Sequence, residues 1–82
     1  MINGKQVRAA RALLGLSQAE LANTANIGIA TLQRLENTGD EVKGSARTIW
    51  KLQTALENSG IQFIQSDSTG GIGVRLKTPS KD

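Results

Sequence analysis

Gln33 and Arg34 are neighbours in this chain, Thr31 stands two positions before Gln33, and Gln18 lies further upstream. All four side chains hydrogen-bond, and Gln and Arg can do so with paired groups. A guanidinium presents two parallel N–H donors that match the O6 and N7 acceptors of guanine, and a carboxamide pairs one donor and one acceptor with adenine. Thr31 adds a hydroxyl that can donate to a phosphate oxygen. Groups that shuttle protons or hold metal ions are scarce by contrast. The chain has no His and no Cys, and its seven acidic residues are scattered. The usual metal ligands, general bases and thiol nucleophiles are therefore missing. The sequence predicts no catalytic residue, no metal and no cofactor, and it does not read as an enzyme.

Such hydrogen-bonding groups work only if a rigid framework aims them. Eighty-two residues allow one small domain. With one Trp, one Phe and no Tyr, the core has to be built from Leu, Ile, Val and Ala, which suits short packed helices. The net charge of +3 is compatible with a polyanionic partner. No apolar run approaches the ~20 residues of a membrane span. Residues 1–5 lack the apolar centre of a signal peptide. A cytoplasmic location without a membrane partner is expected.

Three apolar-periodic segments punctuated by Gly and Asn lead into a fourth. A first helix is predicted over residues 3–14, burying Val7, Ala10 and Leu14 and stopped by Gly15. Ser17 and Glu20 have the spacing of a capping box, which opens a second helix over 18–25 with Leu21, Ala22 and Ala25 inside. Asn26 tolerates the left-handed backbone that a tight interhelical turn needs. A third helix is predicted over 28–37, with Ile27, Leu32 and Leu35 as its buried stripe, closed by turn formers at 37–40. Ser45 can cap a fourth helix over 46–59 with Ile49, Leu52 and Leu56 inside, and Gly60 stops it. Alternation then changes to period two at 61–64 and 74–76, which predicts a β-hairpin with a long loop. Residues 78–82 read as a frayed polar tail. The expected fold is mainly α, a four-helix head over 1–60 followed by a C-terminal β-hairpin over 61–77.

Two short helices joined by a three- or four-residue turn form the framework in which the first helix braces and the second enters the major groove. Ala22 permits the close crossing, Asn26 the turn, and Ile27 and Leu32 the docking of one helix on the other. The runs Leu14-Gly15-Leu16-Ser17-Gln18-Ala19-Glu20-Leu21-Ala22, Ala25-Asn26-Ile27 and Thr31-Leu32-Gln33-Arg34-Leu35-Glu36-Asn37 resemble the repressor/Cro-like (XRE) helix-turn-helix family of transcriptional regulators. The resemblance covers roughly residues 5–59. The stretch from Ala55 through Phe63-Ile64 to Gly73-Val74-Arg75-Leu76 resembles a bacterial subgroup in which β structure replaces the family's last helix. Two departures stand out. Asn26 occupies a position that is often Gly in the family, and Gly28 one that is often Ser or Thr, so the third helix begins without a side-chain cap.

The resemblance implies double-stranded DNA as the partner, and residue by residue it implies a site. Gln18, at the start of the bracing helix, would touch phosphate, as anions favour helix N-termini. Gly28, Ile29, Ala30, Thr31, Gln33 and Arg34 would line the groove. Ile29 and Ala30 stand where the family is usually polar; they cannot hydrogen-bond to bases, but Ile29 can rest against thymine methyls and Ala30 permits close approach. Lys43, Ser45 and Arg47, leading into the fourth helix, would position the protein on the backbone without reading sequence. Arg11 and Glu36 are expected to form a partly buried structural salt bridge. Arg8 reads mainly as a surface residue; Lys51, Arg75 and Lys77 read as solvated.

A small head and a lone hairpin both leave apolar surface uncovered. A two-fold dimer through Trp50, Ile61, Phe63, Val74 and Leu76 would cover it. It would also set two recognition helices about one DNA turn, roughly 34 Å, apart. The alternative is a hairpin folded back on its own fourth helix, with Trp50 beneath it. The functional expectation is a sequence-specific regulator, a dimeric repressor of a palindromic operator. The competing reading is an antitoxin-type module that neutralises a toxin partner and regulates itself.

Overall fold

A computed structural model describes residues 2–37 and 45–78. In chain order the described elements are the helices α1 (Gly4–Leu14), α2 (Gln18–Ala25), α3 (Ile29–Asn37) and α4 (Ala46–Asn58), then the strands β1 (Ile61–Ile64) and β2 (Gly73–Leu76). The fold is mainly α, with a two-stranded hairpin after the helices. No helix among the described residues is long and apolar enough to cross a membrane.

Local chemistry sets the helix ends. Ser17 Oγ accepts from the Glu20 N–H at 3.0 Å while Glu20 Oε1 accepts from the Ser17 N–H at 2.9 Å, the reciprocal cap expected from the spacing. Asn3 and Gln6 form a second such box at the start of α1, which the sequence reading did not identify. Gly15 (φ 68°) and Asn26 (φ 57°) end α1 and α2 in the left-handed conformation. The same bond follows each: Leu16 N–H donates to Arg11 C=O and Ile27 N–H to Ala22 C=O, both at 3.0 Å. Ser45 Oγ caps α4 by accepting from the Thr48 N–H at 3.1 Å. Expected and observed boundaries differ by one residue at four places, the first being α1, which starts at Gly4 with Asn3 as its cap. Gly28 is the entry residue of α3, its carbonyl accepting from Leu32, and not its first turn. The fourth helix ends at Asn58, and β2 starts at Gly73.

The apolar stripes converge as their periodicity requires. Val7, Ala10, Leu21, Ala22, Ala25, Leu32, Leu35, Ile49, Leu52 and Leu56 are buried in one cluster, with Leu14 and Ile27 packed at its margin. Ile2 and Ile61 also belong to that cluster. At Gly4 two elements meet closely: an added Cβ would lie 2.5 Å from the Leu35 carbonyl oxygen.

The hairpin is antiparallel, pairing Ile61 with Leu76, Phe63 with Val74 and Ile64 with Gly73. Its loop is folded by Asp67, whose carboxylate accepts from Thr69 N–H (2.8 Å), Thr69 Oγ1 (2.6 Å) and Gly70 N–H (3.1 Å). These bonds, chiefly those from Thr69, hold the Asp67 carboxyl below its ordinary pKa. The hairpin lies on its own chain, β2 against α1 and β1 against α4. This corrects the expectation for Ile61: it is wholly buried in its own core and presents nothing to a partner. Phe63, Val74 and Leu76 are half-buried against the same core. Trp50 does not lie beneath the hairpin, since 66% of its surface is exposed. The end of the head at residue 60 is therefore not a boundary of the core.

Gln6 ties the two parts together. Its side chain is buried; Oε1 accepts from the Asn3 N–H at 3.0 Å, and Nε2 donates to the carbonyls of Ile64 (3.2 Å) and Gly73 (3.0 Å) at the loop end of the ladder. One carboxamide thus completes the cap of α1 and clamps both strands where they meet the loop. Each such bond contributes on the order of 1 kcal/mol net, and removing the group also leaves buried partners unpaired. Gln6→Ala is expected to lower the unfolding free energy by about 2–3 kcal/mol in urea titration. A loss below about 0.5 kcal/mol would show that the clamp is incidental.

Candidate nucleic-acid interface

α3 has two sides of opposite character. Leu32, Leu35 and Glu36 are buried, whereas Ile29, Ala30, Gln33, Arg34 and Asn37 are exposed. The exposed set has the spacing i, i+1, i+4, i+5, i+8, a continuous stripe along one helix face. Its character changes along the axis, from apolar at Ile29 and Ala30 to amide and guanidinium at Gln33 and Arg34 and amide again at Asn37. The sequence assigns Asn37 to the closing turn and not to the expected contacts, although its i+4 relation to Gln33 places it on this stripe. Thr31 is half-buried, and its Oγ1 accepts from Arg34 Nη2 at 3.3 Å, laying the guanidinium along the helix surface.

The buried side is fixed by an ion pair. Glu36, only 1% exposed, accepts from Arg11 Nε at 3.1 Å on Oε2 and from Arg11 Nη2 at 3.0 Å on Oε1. This is the two-pronged geometry in which Arg and carboxylate pair most strongly. Arg11 Nη1 also donates to the Leu16 carbonyl at 3.3 Å, so one guanidinium fastens α3 and the α1–α2 turn to α1. The expected Arg11–Glu36 salt bridge is present.

Gln18 joins the same network. Its Nε2 donates to Glu36 Oε1 at 3.1 Å, and its Oε1 accepts from Gln33 Nε2 at a long 3.5 Å. The sequence reading foresaw Gln18 only as a phosphate contact. In the fold it spans from the buried carboxylate to the exposed stripe, and its second Nε2 proton is left for another acceptor. It sits in the first turn of α2, where the N–H groups of Gln18 and Ala19 have no acceptor within the helix. Glu20 is held ionised in the same turn: the bond from the Ser17 backbone, then that from its hydroxyl, lower its carboxyl pKa.

The other expected contacts stand apart. Ser45 is exposed but engaged as a cap, bonded to both the N–H and the hydroxyl of Thr48. Arg47 is exposed in the first turn of α4. Lys43 lies outside the described residues. Gly28 is exposed, and a side chain there would meet only Thr31 Oγ1 at 3.7 Å. Among the described residues no cluster of His, Cys, Asp or Glu is arranged to hold a metal ion.

Two outcomes follow for stability. Arg11→Met strands a buried carboxylate, whereas Glu36→Gln strands a cation that is 25% exposed. The first should cost about 3–5 kcal/mol and the second less, about 2–3 kcal/mol, in denaturant titration; the reverse order would contradict this account of the pair. Gly28→Ser supplies the cap that α3 lacks, in space that is open. It should raise the unfolding free energy by about 0.3–1 kcal/mol, and destabilisation would mean that the glycine backbone is itself required.

An exposed helix with bidentate hydrogen-bonding groups, braced by a second helix, is the arrangement of a helix-turn-helix unit. Comparison with curated protein sequences finds no match. The family model described as helix-turn-helix matches residues 7–60, well over half of the chain, from within α1 through α4. The chain belongs to this helix-turn-helix family, the XRE/Cro-like DNA-binding domains.

Proposed function

We propose that the protein is a transcriptional repressor that binds a palindromic DNA site as a two-fold dimer. The observation that carries sequence-specific binding is the outward stripe of α3, five side chains that the core does not use. In this reading Arg34 pairs with a guanine and Gln33 with an adenine. Thr31, the first turn of α2 with Gln18, and Lys43, Ser45 and Arg47 meet phosphate. Phosphate contacts set register and base contacts set sequence. A repressor of this kind acts by occupying its site against polymerase or another factor.

The dimer reading rests on what folding leaves uncovered. Trp50 is mostly exposed, Phe63, Val74 and Leu76 are only half-covered, and a two-stranded sheet keeps two unpaired edges. Pairing with a second copy would cover these features. The burial of Ile61 removes one residue from that surface and leaves the others. Equilibrium sedimentation at micromolar concentration should return a dimer; a monomer would exclude this part of the reading.

Selection of bound duplexes from random DNA tests the whole. An enriched sequence with two-fold symmetry is expected, with affinity that falls steeply with salt as counterions are released. Arg34→Ala should weaken the enriched site by about 1–3 kcal/mol and leave binding to random duplex nearly unchanged. Equal losses on both would make Arg34 a phosphate contact only, and affinity insensitive to salt would contradict the mode of binding.

A further inference from the structure

The leading end of α3 carries no hydrogen-bonding side chain on its exposed face. Gly28 has none, Ala30 has a methyl, and Ile29 holds a branched alkyl group with 45% of its surface in solvent. Burial does not explain Ile29: it is not in the core cluster, nor among the apolar residues packed against its margin. Its neighbour one turn later on the same stripe is Gln33. The apolar end is therefore continuous with the hydrogen-bonding part of the interface and must go wherever that part goes.

We infer that Ile29 is a specificity-determining residue that reads the 5-methyl group of a thymine in the major groove, with Gly28 and Ala30 allowing the helix end to come close. The inference rests on α3 entering the groove. The thymine methyl is the apolar group on a major-groove base edge, so it is the feature against which an alkyl side chain gains free energy; against cytosine or adenine the same side chain would cover an amino group and leave it unpaired. The helix rises about 1.5 Å per residue, so the alkyl group lies roughly 6 Å along the axis from Gln33. The methyl therefore belongs to a base pair close to the one that Gln33 contacts, within the same half-site.

Substitution of deoxyuridine for thymine tests this, because uracil pairs identically and lacks only the methyl. The duplex is the one enriched from random DNA, with thymines replaced one position at a time. Wild type should bind about three- to fivefold more weakly when the contacted thymine becomes uracil, as expected for one buried methyl. Ile29→Ala should bind the thymine duplex more weakly by a similar factor and should no longer distinguish the two duplexes. Ile29→Gln, polar and of similar reach, should be equally blind to uracil, and unchanged unfolding midpoints establish that both variants fold. Uracil without effect on wild type overturns the inference, as does a uracil penalty that persists in both variants. An enriched site without thymine in its half-sites also overturns it. If no sequence is enriched at all, the reading of α3 as a base-contacting helix fails, and the inference fails with it; that outcome is distinct from enrichment with indifference to uracil.

Discussion

The carboxylate of Glu36 is the point on which the arrangement turns. It is buried at the end of α3, and a buried charge is tolerated only when paired and hydrogen-bonded. Arg11 provides the charge and two donors from α1, and Gln18 provides a third donor from α2. Three helices are thereby fixed to one another through a group that cannot move without leaving an unpaired charge behind. Apolar packing among Leu21, Leu32 and Leu35 is non-directional and would tolerate small slides of α3. The fork of Arg11 on Glu36 does not, because its bonds depend on angle as well as distance. Orientation matters here more than net stabilisation, since a buried ion pair contributes little over a well-packed apolar substitute.

The same economy recurs at Gln6, where a single buried side chain closes a helix cap and fastens both strands of the hairpin. The hairpin gives the small helical core a lid through Ile61, Phe63, Val74 and Leu76. A head of this size buries a modest fraction of its surface, so such a lid contributes noticeably to stability. The face of α3 that looks outward is spared this work. Its residues leave polar groups or, at Ile29, an alkyl group exposed.

Much of this was legible in the residues themselves. Ser17 and Glu20 marked the start of α2 because a capping box needs only local spacing, and Gly15 and Asn26 marked the turns because few residues accept a positive φ. The stripes of α1 to α4 followed from period, and the two strands of the hairpin from alternation. What stayed hidden was long-range. Nothing near Gln6 in the chain signals that Ile64 and Gly73 will need donors, and nothing near Gln18 signals a buried carboxylate from α3. Ile61 and Trp50 illustrate the same limit: both are large and apolar, yet the fold buries one completely and leaves the other in solvent. Alternation assigns a residue to a strand face, but whether that face meets its own chain or another depends on the packing of the whole.

On the proposed function, α3, held by Glu36, presents its outward stripe to DNA with the first turn of α2 beside it. An NMR titration of the labelled protein with duplex DNA addresses it residue by residue. The largest amide shifts should fall on Gln18, Ala19 and the span from Gly28 to Arg34, with the hairpin amides from Phe63 to Val74 little changed at low protein concentration. Shifts concentrated on the hairpin, with α3 silent, would contradict it.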